Sequence, residues 1–143
     1  MLKVPGITQG IVIDHIKTGN GLKIFNKLRL DKLDTPVVLL MNVDSNVLGR
    51  KDIIKIQDYT DINMDILGLI DQGATINIIK NSKIISKTKV KIPQKVKGLF
   101  QCKNPRCVTT VDNYAISEFT LIHNDGKLQY RCNYCEELTE YKL

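Results

Sequence analysis

Residues 8–16 read Thr-Gln-Gly-Ile-Val-Ile-Asp-His-Ile, a β-branched run that predicts a strand ending on two polar side chains, Asp14 and His15. Thr18-Gly-Asn-Gly breaks that pattern. Leu22, Ile24, Phe25 and Leu28 then recur at the spacing of an amphipathic helix, which predicts a helix to about residue 30. Residues 36–43 are apolar and rich in Val and Leu, Asp44-Ser-Asn marks a turn, and residues 49–56 form the next strand. The short loop between those two strands makes them an antiparallel pair. Thr60 and Asp61 are a candidate helix cap, Met64, Leu67 and Ile70 give an apolar stripe, and Gly73 stands where a helix would stop. Residues 74–79 and 84–90 are two more strands around a turn at 80–83, where Asn81 tolerates positive φ.

The order is β-α-β-β-α-β with one extra strand, the ferredoxin-like arrangement of two helices on one face of an antiparallel sheet. Residues 93–98 are polar with Pro and Gly, and read as a short linker. Beyond it, residues 108–111, 114–122 and 127–130 predict short antiparallel strands, with Asn124-Asp-Gly126 as a turn. The fold expected is α+β: a ferredoxin-like domain over 1–93, followed by a small all-β domain of zinc-ribbon (rubredoxin-like) type over 94–143.

The second domain is expected to need a metal. Cys102-Lys-Asn-Pro-Arg-Cys107 and Cys132-Asn-Tyr-Cys135 stand 24 residues apart and hold all four cysteines. Each pair on a tight turn can offer two thiolates to one tetrahedral Zn²⁺. Four thiolates leave no open position for water or substrate, so the ion would be structural, one per chain. Metal binding in such modules supplies about 10–16 kcal/mol of apparent folding free energy, which a core this small needs. Two disulfides are the alternative. The opening Met1-Leu-Lys-Val-Pro-Gly has neither the charged nor the long apolar region of a secretory leader, which argues for a reducing, cytoplasmic setting. A Cys-x-x-Cys redox pair would leave Cys102 and Cys107 without a role.

The formal net charge is +6, and no acidic residue falls between Asp71 and Asp112, an interval that holds Lys80, Lys83, Lys87, Lys89, Lys91, Lys95 and Lys97. Such a zone suits an anionic partner, or equally an edge strand kept from aggregating by lysines. A nucleic-acid reading expects aromatic platforms among the cations, and none lies between Lys80 and Lys97. No apolar run is long enough to span a membrane. Glycine-rich phosphate loops and a histidine-glutamate deaminase motif are absent, and the cysteines are committed to zinc, so catalysis is not expected. Asp14, His15 and Lys55 end neighbouring strands and could converge on one edge. The plainer reading is that Asp14 and His15 cap their strand in solvent.

Asp14-His15, Gly49-Arg-Lys-Asp-Ile-Ile-Lys55, Ala74-Thr-Ile-Asn77 and the cysteine pairs with Glu136 resemble, in order and spacing, the regulatory chain of aspartate carbamoyltransferase. The resemblance runs nearly end to end. It implies a non-catalytic subunit of pyrimidine biosynthesis that binds CTP as inhibitor and ATP as activator, with UTP a third candidate. It further implies regulatory homodimers formed through the first domain, which join two catalytic trimers gripped by the zinc domain. Carried over by motif, Asp14, His15, Lys55, Asn77, Ile79 and Lys87 would hold the nucleotide, and Val4, Ile7, Val12 and Ile84 would line its pocket. Asn104, Arg106 and Glu136 would contact the catalytic chain. Two rival readings, a basic zinc-ribbon nucleic-acid-binding protein and a purely structural zinc protein, account for the zinc and the charge but not for the convergence of Asp14, His15, Lys55 and Lys87.

Overall fold

The structure is a computed structural model that describes residues 6–59, 61–112 and 114–141. Val4 and Thr60 lie outside the described residues. The chain divides into two compact units, Met1–Lys91 and Ile92–Leu143.

In the first unit, β1 (Gly10–Lys17) leads to α1 (Asn20–Lys27), a 3-10 turn at Leu30–Lys32, and the hairpin β2 (Val37–Ser45) and β3 (Gly49–Gln57). Helix α2 (Met64–Ile70) and the hairpin β4 (Thr75–Lys80) and β5 (Lys83–Lys89) complete it. The strand order is β2-β3-β1-β4-β5, every neighbouring pair antiparallel. This is the ferredoxin-like order with β5 added at one edge. Alternation decides which face is buried: Ile11 and Ile13 of β1, Ile54 and Ile56 of β3 and Ile76 of β4 pack with Ile24, Leu67 and Ile70 of the helices. The register of β1 on β3 shifts between Ile13 and Ile16, so the bulge at Asp14 and His15 returns Ile16 to the core. Gly10 lets β1 approach β3 closely, since a Cβ there would run into the Ile56 carbonyl.

Helix α1 has no side-chain cap at its start. Its first turn is held by Asp52 of β3, only 1% exposed, whose Oδ2 accepts from the Gly19 and Gly21 N–H groups at 3.0 Å each. Asp52 Oδ1 accepts from Asn42 N–H of β2 at 2.8 Å. The helix stops at Lys27, short of residue 30, because Arg29 takes a left-handed conformation (φ 53°). For α2 the cap is Asn63, which accepts from the Asp65 and Ile66 N–H groups, and Asp61 lies in the preceding loop. Leu22 and Met64, counted in the apolar stripes, are 47% and 42% exposed, and the stripes that reach the core are Ile24 with Phe25 and Leu28, and Leu67 with Ile70.

The second unit is a four-stranded antiparallel sheet of β6 (Lys95–Lys97), β7 (Glu118–His123), β8 (Leu128–Cys132) and β9 (Leu138–Tyr141), in that order. The stretch 93–98 is therefore no linker: Val96 is fully buried and β6 pairs with β7. Residues 108–111, expected as a strand, form the short helical turn α3 (Val108–Val111), because the Thr110 and Val111 N–H groups both bond to the Cys107 carbonyl. The core is small and aromatic. Phe100 stacks on Phe119 with centroids 4.4 Å apart and meets Tyr130 and Tyr141, and the Tyr130 hydroxyl donates to the Pro93 carbonyl at 2.8 Å.

Candidate functional site

The face of the first sheet turned away from the helices is organised by register. Val12 lies opposite Lys55 on one side and Asn77 on the other, Asn77 lies opposite Lys87, and Lys55 lies opposite Val38. One residue from each of the five strands thus forms a single row across the open face. The next row towards the hairpin turn runs Gln57, Gly10, Ile79 and Ile84. The Thr8 carbonyl accepts from Ser82 N–H, which brings the stretch holding Ile7 to that turn. Lys55, Val12, Asn77, Ile79, Ile84 and Lys87 are accordingly brought together on one surface. Asn77 is 7% exposed, and its Oδ1 has no hydrogen-bond partner among the described residues. A buried amide oxygen with no partner is costly and suits a site that a donor completes.

Asp14 and His15 occupy the bulge beyond this row. The Asp14 carboxylate accepts from Lys51 Nζ at 2.9 Å and from His15 N–H at 2.6 Å. Burial opposes its charge, but the Lys51 ammonium and the His15 N–H outweigh burial and hold the carboxyl below its ordinary value. His15 has φ 56°, and its Nδ1 stands 3.0 Å from Thr75 Oγ1. His15 also lines a cavity of about 550 Å³ with Lys17, Asn20, Arg50 and Ile70, which includes no member of the row. The cation beside Asp14 is thus Lys51 rather than Lys55. The sequence reading did not anticipate the pairing of Lys51 with Asp14 or the contact of Thr75 with His15, although the strand period puts Lys51 on the same side of β3 as Lys55.

In the second unit the four cysteines meet. Cys102 and Cys107 are on one loop, closed by the Cys107 N–H bond to the Asn104 carbonyl, while Cys132 ends β8 and Cys135 is on the turn that follows. Their sulfurs all lie within 4.8 Å of one another, with Cys102 to Cys135 at 3.5 Å and Cys107 to Cys132 at 3.7 Å. A tetrahedron with metal–sulfur bonds of about 2.3 Å has edges of about 3.8 Å, so the set fits one metal ion. None of the four is in a disulfide. Burial pushes the Cys102 thiol up to about 12, whereas the Thr109 hydroxyl holds Cys107 down at about 7. Burial also raises Cys132. Four thiolates this close together repel one another unless a cation neutralises them. Asn104, Arg106 and Glu136 stand on the two cysteine turns. Asn104 Oδ1 accepts from Arg106 N–H, Arg106 and Glu136 are exposed, and Glu136 is left-handed at φ 67°.

A five-stranded α+β unit with a charged open face, joined to a four-cysteine module, defines a two-domain metal-binding chain. Two family models divide it in the same way. The aspartate carbamoyltransferase regulatory chain, allosteric domain, matches residues 2–91, and the metal binding domain of the same chain matches residues 94–142. The aspartate carbamoyltransferase regulatory chain of Clostridium tetani is 49% identical over 144 residues, covering 100% of this chain and 98% of the relative. That of Clostridium botulinum strain Hall is 45% identical over 138 residues (96% and 94%), and that of Bifidobacterium longum 41% over 136 residues (95% and 97%). The chain belongs to the aspartate carbamoyltransferase regulatory chain family, and its role is regulatory rather than catalytic. No helix of the described residues is long and apolar enough to cross a membrane.

Proposed function

We propose that the first domain, residues 1–93, binds nucleotide effectors on its open face, CTP as inhibitor and ATP as activator, and that residues 94–143 carry the signal to catalytic trimers of aspartate carbamoyltransferase. The observation that carries this reading is the cross-strand row of Lys55, Val12, Asn77 and Lys87, with the buried Asn77 Oδ1 awaiting a donor. An exocyclic amino group is such a donor, and the ammonium groups of Lys55 and Lys87 suit a polyphosphate. Asp14 and His15 aside, Ile79 and Ile84 supply apolar surface, and Ile7 closes the turn end. UTP is a third candidate effector.

Four thiolates with no other ligand type favour one Zn²⁺ per chain, serving structure alone. Asn104, Arg106 and Glu136, raised on the two metal-bound turns, would meet the catalytic chain, and two regulatory chains would pair through their first domains. An effector can shift the quaternary equilibrium only by its differential affinity for the two states. The setting would be the cytoplasm, where four free thiols persist until they meet metal, and the pathway pyrimidine biosynthesis.

The test is calorimetric titration of the zinc-loaded chain with CTP and then ATP in competition. Lys87 is exposed, so screening limits its loss in Lys87→Ala to about 1 kcal/mol, about fivefold in affinity. Asn77→Leu removes a buried acceptor and should cost about tenfold or more. Two nucleotides that bind a folded chain without competing, or with affinities that neither substitution changes, would refute the site.

A further inference from the structure

Thiolates gathered round one divalent ion form a negatively charged cluster. Donors aimed at the sulfurs disperse that charge and fix each ligand's orientation. The Thr109 hydroxyl lies 3.1 Å from Cys107 Sγ, and the Thr109 N–H is directed at the same sulfur. Among the described residues no other cysteine sulfur has a hydroxyl or amide side chain within hydrogen-bond distance. The geometry is set locally: Cys107 caps the helical turn α3, and Thr109 is the second residue of that turn. A β-branched side chain there has few rotamers, which keeps the hydroxyl aimed. The adjacent Thr110 hydroxyl is not aimed at sulfur and donates to the Asn104 carbonyl at 3.0 Å.

We propose that Thr109 is a positioning residue of the metal centre: its O–H donates to the Cys107 thiolate and sets both the orientation of that ligand and its strength as a donor. The proposal rests on the four-cysteine metal reading and adds a residue outside the ligand set. A thiolate that receives this bond carries less charge towards the ion and is held in one orientation by it.

Cobalt(II) is a suitable probe in the full chain, because its sulfur-to-metal charge-transfer bands report the electron density on the thiolates. Thr109→Val keeps the shape and loses the hydroxyl. It should move those bands to lower energy and weaken metal retention against a competing chelator by about tenfold or more. Thr109→Ser should restore both, and Thr110→Val, which removes a hydroxyl not aimed at sulfur, should leave the band energy at the wild-type value. Thr109→Ala gives the same readout with less bulk, should valine not fit the turn. Unchanged bands and retention in the Thr109 variants, or equal shifts in Thr109→Val and Thr110→Val, would overturn the proposal. A wild-type chain that took up no cobalt at all would overturn the metal reading on which it rests.

Discussion

Asp52 can be tested most sharply, because its three bonds tie α1 and β2 to the strand that carries Lys51 and Lys55. In Asp52→Ala the Gly19, Gly21 and Asn42 N–H groups lose their acceptor. The Gly21 bond is buried, so its N–H stays unpaired at a cost of about 1–3 kcal/mol. The bonds to Gly19 and Asn42 are partly buried, and water can replace the carboxylate there, so each costs about 0.5–1.5 kcal/mol. The sum is about 4 kcal/mol, a large share of the ~5–15 kcal/mol that stabilises a typical domain. Asp52→Asn should cost about half as much, since its single oxygen can serve either Gly19 and Gly21 or Asn42, and the amide then faces a donor at the other site. Gly21→Ala should also destabilise, because its Cβ would lie 2.8 Å from the Asp52 side chain. Urea unfolding of the metal-saturated chain, followed by circular dichroism, measures all three. An Asp52→Ala chain within about 0.5 kcal/mol of wild type would refute the anchoring role, since surface substitutions commonly fall in that range.

Two further outcomes follow from charges and metal. The Asp14 carboxyl is held below its ordinary value, so its ion pair with Lys51 stabilises the fold above the ordinary carboxylate range, and that contribution is lost as pH falls through the lowered folded value. Lys51→Met should therefore be less stable than wild type at pH 7, with the gap closing below about pH 4; a gap constant from pH 7 to pH 3 in unfolding titrations would count against the pair. Removing the metal with a strong chelator should abolish exchange protection in β7 and β8 while β1, β3 and β4, which have their own isoleucine core, stay protected. Uniform loss or uniform retention of protection would be the contrary result.

The first unit was legible because alternating isoleucines mark one face of β1, β3 and β4 without ambiguity. The same period places Lys55, Asn77 and Lys87 on the other face, though only register brings them into one row. Asp14 and His15 show where reading from a strict period of two fails: the bulge shifts the phase, and the partner of Asp14 becomes Lys51. The second unit was less readable because its order comes from the cysteines rather than from apolar pattern. Val108, Thr109, Thr110 and Val111 have the composition of a strand, yet the loop closed by Cys107 turns them into a helix. Lys95, Val96 and Lys97 look like a linker because only one side chain of β6 enters the core. Asn63 lost the cap to Thr60 and Asp61 in the reading of the sequence, although asparagine is as good a cap as aspartate.

The row on the open face crosses all five strands at right angles to their direction. Neighbouring strands are rotated by about 20–25° relative to one another, so the strands at the two ends of such a row differ in direction by roughly 80–100°. A molecule laid along it acts as a splint on the coiling of the sheet. A short, curved occupant and a long, straight one would relax the same five strands to different pitches. Effectors that share the same contacts could then have opposite effects simply by being of different length.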